Sequence, residues 1–496
     1  MLTIVTVSKR KAEHGKVSDI IFAKLEEGKN VSLEAYPGYG KTFIGLDVLR
    51  RFGRALYLTR THYEMFDVIN IALHVYNLKI YPAYGREAIC YRKAPRGIAF
   101  PSYCRRQRVL GFCHEKPLTR TMFAFLSKMR KPGEIREYAK KLNTCLYLAN
   151  KILALKSKYV LTTYAFYFQN PEIAENRPFM VLDECHTILE ALQQSVIELS
   201  KPFIELTILS LKNKAKTENK PELGRLAYIL KQAYNKSKSI YEFAEILDSG
   251  LDLVPYRTEE TYILGKIVDS IRNKMFIKEN NTHMILTLPP KIFTTKQKML
   301  LMSALIPPFI FRNVNVHVAV EPSEEVKIPV KVDTSVTTRY KERTEVTPKE
   351  LADKIEEYYD RNVGNLAIVP SKELREKVVK ILEKKGFKIS PIEKIKEVEE
   401  GDLIVDVAYG RVAEGVNPSP KLKRVIIAGM PYPPPELRLK LLAKYFGFDN
   451  IYTYLALLKS FQAVGRIRKP EGSLAVLIDK RFKEYEEKYP TWVKLV

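Results

Sequence analysis

Leu33–Thr42 reads LEAYPGYGKT, and the rest of the chain is organised around it. The apolar run Val31–Ala35 predicts a buried strand, and Thr42–Arg51 predicts a helix that follows at once. Between them Gly38 and Gly40 allow a tight turn whose N–H groups face an anion. Lys41 offers a positive charge to the β- and γ-phosphates, and Thr42 a hydroxyl to Mg²⁺. Strand, phosphate loop and helix stand in the order of a P-loop, although Ala35 takes the place of the usual first glycine. Gly38, Tyr39, Gly40, Lys41 and Thr42 are therefore the expected nucleotide-binding residues. Pro37 and Tyr39 are bulky for such a loop and are expected to point outward.

The chain has 496 residues, enough for two or more domains. It is 46% hydrophobic and 28% charged, and it lacks a long uncharged apolar stretch, so no membrane span is expected. The apolar part of MLTIVTVSKRKAEH is too short for a signal peptide, which points to a cytoplasmic protein. The net charge of +25 suits a polyanionic partner, nucleic acid first and an anionic membrane second. The charge is focused: Tyr84–Tyr147 holds 15 Lys and Arg against 4 Asp and Glu, including Arg92, Lys93, Arg105 and Arg106. A focused patch is harder to ascribe to a generally basic composition than diffuse charge.

Taken in order, residues 1–83 read as α/β, with an amphipathic helix at Val17–Leu25 and a strand at Arg54–Thr59 that ends in Arg60-Thr61-His62. Residues 84–147 break that rhythm, and a helix is expected over Ile135–Ala149. Four of the five cysteines, Cys90, Cys104, Cys113 and Cys145, fall in this segment, separated by 13, 8 and 31 residues. Without a CxxC pair, their spacing leaves open an iron–sulfur cluster, a zinc site, or buried or paired cysteines.

Tyr159–Thr163 and Phe179–Leu182 are further strands, and the second runs into Asp183-Glu184-Cys185-His186. Carboxylates at a buried strand end downstream of a P-loop suit a metal-holding Asp183 and a water-activating Glu184, with His186 linking the nucleotide site to neighbouring motifs. The competing reading is a helix N-terminus that favours acids. Residues from about 200 to 285 read as mostly helical, a guide for a strand or a structural cap, and residues 318–348 as a linker. A second α/β unit follows, with strands at Met299–Ala304 before it and Asn365–Val369, Asp402–Ala408, Val425–Gly429 and, last, Ala475–Ile478 within it. Two of its loops stand out, GRVAEGVN at 410–417 and QAVGRIRK at 462–469. Arg466 and Arg468 suit arginine fingers, or else a nucleic-acid surface or a salt-bridged helix.

Together LEAYPGYGKT, TRTHYEM, the four cysteines, VLDECH, MSALIPP, AIVPS, GRVAEGVN with IIAGMPYPPP, and QAVGRIRKPEGSLAVLIDKRF resemble the XPD helicase family of superfamily 2, in its archaeal type. They span nearly the whole chain. The resemblance implies an α/β fold of two RecA-like parallel-sheet motor domains, with an iron–sulfur cluster domain and a helical arch inserted in the first. The expected borders are motor domain 1 at 1–83, 148–202 and 289–324, the cluster domain at 84–147, the arch at 203–288, and motor domain 2 at 325–496. It implies ATP, Mg²⁺ and a [4Fe–4S] cluster on Cys90, Cys104, Cys113 and Cys145, with Thr42 and Asp183 at the Mg²⁺. Lys41, Asp183, Glu184, His186, Gln462, Arg466 and Arg468 take the catalytic motif positions, Glu414 and Gly415 the loop that couples DNA to ATP, and Thr61 a strand-contacting position. Single-stranded and forked DNA are the implied partners of a monomer that works on the nucleoid.

The chain departs from the family pattern in four motifs, in a longer middle cysteine gap and in a shorter arch. The SGT-like motif reads Ser303-Ala304-Leu305, Asn417 replaces an Asp, Arg468 stands one residue early, and no Gln precedes the P-loop to read adenine. The expected activity is ATP-driven 5′→3′ DNA unwinding and translocation on single strands. Two others compete: a DNA-stimulated ATPase that remodels protein–DNA complexes or R-loops with little processive unwinding, and a scaffold with a relict motor.

Overall fold

The computed structural model describes all residues except 1–2, 8–13, 96–99, 110–111, 114–118, 194, 256–257, 280–281, 288–296, 308–313, 343, 411–417, 448–449 and 468–470. Strands β1 (Thr3–Val7), β2 (Val31–Glu34), β3 (Ala55–Thr59), β4 (Tyr81–Ala83), β5 (Tyr159–Thr163) and β6 (Phe179–Leu182) belong to a first sheet. An inserted unit contributes β7 (Val196–Glu198), β8 (Phe276–Glu279) and β9 (Thr282–Leu286), after which β10 (Lys298–Ser303) and β11 (Val316–Val320) complete that first sheet. The second sheet is formed by β12 (Ile328–Asp333), β13 (Gly364–Val369), β14 (Ile389–Ser390), β15 (Leu403–Val407), β16 (Leu422–Ala428), β17 (Leu474–Ile478) and β18 (Val493–Leu495).

Both large sheets are parallel, in the orders β1-β11-β2-β10-β6-β3-β5-β4 and β14-β15-β13-β16-β17-β12-β18. Parallel strands covered on both faces read as continuous apolar runs, and β3, β5, β6 and β13 are buried at every position. In β13, Leu366 and Ile368 enter one core while Ala367 and Val369 enter another on the opposite face, as the period of two requires. The helices Leu437–Phe446 and Ile451–Val464, which follow β16, send Leu439, Leu442, Tyr454 and Leu458 into the core of the first sheet. The two halves thus meet through apolar contacts as well as across a cleft.

Several expectations are corrected. The segment 318–348 is no linker: it contains the end of β11 and all of β12, which lies between β17 and β18 with Ile328 and Val330 buried. The polar residues that alternate with the buried ones hide a strand there. Ala475–Ile478 is not the last strand, because Val493–Leu495 pairs with β12. The single helix expected at Ile135–Ala149 is two, Pro132–Leu142 and Tyr147–Lys156, since Asn143 ends the first in the left-handed conformation at φ 46°. Cys145 stands in the resulting break. The inserted unit carries four helices, Lys201–Thr217, Pro221–Lys236, Ile240–Leu251 and Glu259–Arg272, and an antiparallel sheet in the order β7-β9-β8 that helical periodicity did not foretell. Among the described residues, no helix is long and apolar enough to cross a membrane.

Candidate functional site: a cleft between two parallel sheets

Strands β2, β10, β6 and β3 are neighbours in the first sheet, so their C-terminal ends open on one edge. That edge of an open α/β sheet is where ligands bind. It gathers the P-loop after β2, Ser303 at the end of β10, Asp183 after β6 and Arg60 after β3. The P-loop turns with Gly38 at φ 85° and Gly40 at φ 95°. These are left-handed values that suit glycine. Lys41 opens the helix Lys41–Arg50, and its buried Nζ donates to the Ala35 carbonyl at 3.0 Å, across the mouth of the loop.

The bulky loop residues do not point to solvent as expected. Pro37 lies against the second domain: a Cβ on Gly465 would stand 2.9 Å from Pro37 Cγ. Tyr39 is half-buried against the rings of His14 and Tyr36, and its carbonyl lies 2.6 Å from His14 Nε2.

Behind the loop lies a residue that sequence reading missed. Tyr57, in the middle of β3, donates its phenol proton to Asp183 Oδ2 at 2.7 Å and is also hydrogen-bonded to Thr42. With its proton committed to the carboxylate, the phenol oxygen accepts from the Thr42 hydroxyl. The two expected Mg²⁺ ligands are thus joined through one buried ring. The signal was a tyrosine inside a fully buried parallel strand, whose hydroxyl needs a partner there. Burial, reinforced by Glu184, raises Asp183 above the usual carboxylate range, and Oδ1 accepts the Glu184 N–H at 3.0 Å. Glu184 holds φ 47°, a left-handed conformation for a non-glycine residue. An oxygen-ligand site for a hard cation fits this donor set of one hydroxyl and one carboxylate beside a phosphate loop.

His186 joins three segments. Its Nδ1 lies 2.7 Å from Ser303 Oγ and 3.2 Å from Glu184 Oε2, and its Nε2 lies 2.6 Å from Gln462 Nε2. Ser303 gives its own proton to the Leu305 carbonyl at 2.9 Å, so it accepts from Nδ1–H, and Nε2 accepts from the Gln462 amide. Burial lowers the imidazole to about 4 and keeps it neutral, as that pattern requires. Gln462 sits in the last turn of the helix Ile451–Val464 rather than in a loop. The hydroxyl of Ser303 therefore binds the DECH segment although Ala304 supplies none. The Ala304 carbonyl instead accepts the indole N–H of Trp492, from the second domain, at 3.1 Å.

A second interdomain link was also unforeseen. Glu190 receives Lys459 Nζ at 2.6 Å and Arg60 at 3.1 Å, with the Lys459 side chain almost fully buried. Lys41, Thr42, Asp183, Glu184, Gln462 and Arg466 all line one cavity of about 390 Å³ between the domains. Arg468, Glu414 and Gly415 lie outside the described residues.

The remaining predicted residues are elsewhere. The Thr61 hydroxyl caps the helix His62–His74 by accepting from the Glu64 N–H at 3.3 Å, while the Glu64 carboxylate accepts the Thr61 N–H at 3.1 Å. Burial and the charge of Glu184 raise Glu64 to about 7. Cys90, Cys104, Cys113 and Cys145 are half-buried and in no disulfide. Their thiols share one neighbourhood: Cys113 is hydrogen-bonded to Cys145, and both Cys90 and Cys113 feel the charge of Cys104. Among the described residues, no three His, Cys, Asp or Glu close to the geometry of a single metal ion. Arg92 lies over the Tyr91 ring at 5.3 Å and within the field of Cys113. Lys93 and Arg106 are exposed, and the side chain of Arg105 is outside the described residues.

Comparison with known proteins agrees with this arrangement. Residues 350–495 match the helicase C-terminal domain family. The ATP-dependent DNA helicase XPD of Sulfolobus acidocaldarius is 23% identical over 94% of this chain and 95% of its own length. A solved XPD helicase covers 97% of this chain and 98% of its own, at 19% identity and a TM-score of 0.62. The S. tokodaii Xpd4 structure covers 97% of this chain and 99% of its own, at 17% identity and a TM-score of 0.54. With two RecA-like parallel sheets, two insertions in the first half and the matched C-terminal domain, the chain has the fold of the XPD helicases and is similar to an archaeal XPD along nearly its whole length.

Proposed function

We propose that this protein is an ATP-driven DNA helicase that translocates 5′→3′ on single-stranded DNA and opens forked duplexes. One observation carries the reading: Lys41, Thr42, Asp183 and Glu184 of one domain face Gln462 and Arg466 of the other across a single cavity. The loop amides and Lys41 bind the β- and γ-phosphates, which draws Lys41 Nζ away from the Ala35 carbonyl. Thr42 and Asp183 would hold Mg²⁺, which supplies charge neutralisation at the phosphates. Glu184 orients the attacking water and takes its proton. Arg466, and by its motif position Arg468, meet charge on the transferring phosphoryl group, an effect worth about 10³–10⁵ in rate for arginine fingers. Ser303, His186 and Gln462 tie the two walls together, so nucleotide-driven changes in one reach the other. That continuous path favours a motor over a relict scaffold.

Cys90, Cys104, Cys113 and Cys145 would hold a [4Fe–4S] cluster. Four thiols in one neighbourhood support this reading. Arg92, Lys93, Arg105 and Arg106 of the same segment suit DNA phosphates, Glu414 and Gly415 suit the loop coupling DNA to ATP, and Thr61 contacts the strand through its backbone, its hydroxyl serving the helix cap. The working form is a monomer in the cytoplasm, on the nucleoid.

Forked duplexes with a single 5′ or 3′ overhang test the proposal. ATP-dependent opening is expected from the 5′ overhang and should vanish in Glu184→Gln, while nucleotide binding persists. Unwinding from 3′ overhangs alone would refute the polarity. DNA-stimulated hydrolysis without strand separation would select the remodelling reading.

A further inference from the structure

One short pattern occurs three times in the inserted helical unit: RLAY at 225–228, KQAY at 231–234 and KSIY at 238–241. In each, a cation precedes a tyrosine by three residues, a spacing that puts the pair side by side on a helix. The helix Pro221–Lys236 buries Leu223, Leu226, Ala227, Leu230 and Ala233, which leaves Arg225, Tyr228, Lys231 and Tyr234 in solvent. The third copy runs over the turn into the helix Ile240–Leu251. Tyr228, Tyr234 and Tyr241 are 62%, 36% and 46% exposed. That is a large aromatic area to leave in water within one small unit.

The cations are available too. Among the described residues, none of Arg225, Lys231 and Lys238 enters an ion pair. The nearest acid along the chain, Glu242, turns its carboxylate back to accept the Lys238 backbone N–H at 2.6 Å. At 1.5 Å of rise per residue, Tyr228 and Tyr234 stand about 9 Å apart along the axis. A different helix of the unit, Lys201–Thr217, lies against the cysteine-rich domain at Phe100–Val109.

We infer that this ladder of alternating cations and tyrosines is a second binding surface for single-stranded nucleic acid, separate from the motor cleft. Aromatic faces stack on bases of any sequence, and interleaved cations meet the phosphates. The regular alternation of cation and ring matches the alternation of phosphate and base along a strand, with Tyr241 held edge-on by Phe276 at 5.6 Å between ring centroids. The inference rests on the proposal that this chain acts on DNA, and it adds where a strand longer than the motor track is held.

The test measures binding of oligothymidylates by fluorescence anisotropy, one short enough to fill the motor track alone and one long enough to reach the ladder. Wild type should gain affinity with length. Tyr228→Ala/Tyr234→Ala/Tyr241→Ala should lose that gain by about tenfold or more. Arg225→Gln/Lys231→Gln/Lys238→Gln should flatten the salt dependence of long-strand binding by about 2 in log–log slope, at about 0.7 per phosphate for single strands. All six positions are exposed, so melting temperature and hydrolysis stimulated by the short strand should not change. A tyrosine variant that keeps the whole length gain overturns the inference. An effect of the cation variant alone also overturns the stacking ladder and leaves a face that meets phosphates only. If wild type binds the short strand but gains nothing with length, only the ladder falls; if it binds neither, the DNA reading falls with it.

Discussion

Tyr57 and Asp183 are joined by a 2.7 Å hydrogen bond beneath the phosphate loop, and the same phenol is bonded to Thr42. A buried ring on a rigid central strand therefore sets the distance between the two side chains that would ligate Mg²⁺. Tyr57→Phe keeps the packing and removes the link. We expect its apparent Mg²⁺ affinity to fall about 10–100-fold, as for other residues that orient metal ligands. Mn²⁺ titration in the presence of ADP, followed by electron paramagnetic resonance, reads this without turnover. Unchanged Mn²⁺ affinity would show that the bond serves only folding.

The buried Lys459 and the partly exposed Glu190 pair across the interface. The penalty for breaking such a pair falls on the charge left behind. Glu190→Ala removes the carboxylate that faces Lys459, whose charge burial already disfavours, and should cost about 3 kcal/mol. Lys459→Met leaves Glu190 with Arg60 and should cost far less. Chemical denaturation of both variants measures the asymmetry, and equal losses would contradict it.

Trp492 is the only tryptophan of the chain, and it bonds across the cleft to Ala304. It is buried against Phe461 at 6.1 Å between ring centroids. Its emission should shift to the red when the cleft opens and return when a non-hydrolysable ATP analogue closes it. Lys41→Ala should abolish the response to nucleotide. An emission maximum indifferent to nucleotide would mean that the domains do not part at this contact.

Asp479 closes the end of β17, where Arg481 and Thr338 bond its carboxylate at 2.7 Å and 2.8 Å. Burial opposes ionisation, but the Arg481 bonds win and hold Asp479 at about 2. A folded value below the unfolded one gives stability that is present above about pH 4 and lost as pH falls toward 2. Thermal melts should therefore drop across that window in wild type. Asp479→Asn should flatten this drop and lower stability at neutral pH by about 3 kcal/mol, because it leaves Arg481 unpaired. A wild-type melting curve that does not move between pH 4 and 2 would count against the assignment.

The parts of the site that were legible in sequence are local. LEAYPGYGKT folds as strand, loop and helix from residues within ten positions of each other, and DECH follows its strand directly. Strand β12 was illegible because polar residues alternate with its buried ones, and the break at Asn143 because one left-handed residue interrupts an otherwise helical pattern. Tyr57 stood in sequence only as one position of the strand at Arg54–Thr59. Its role depends on Asp183, 126 residues away.

The sequence by itself determined the chemistry: a phosphate loop, paired acids, four cysteines in a basic segment, and cations near the C-terminus. Periodicity and short-range spacing carry that much, since strands, turns and helices answer to neighbouring residues. Only the tertiary structure decided which of these groups meet. The strand order β2-β10-β6-β3 is a long-range choice, and it alone brings Lys41, Ser303, Asp183 and Arg60 to one edge. The packing of Leu439, Leu442 and Leu458 into the first core then sets Gln462, Arg466 and Trp492 across from LEAYPGYGKT. Burial of apolar side chains far apart in the chain closes that cleft, and it leaves no local pattern to read.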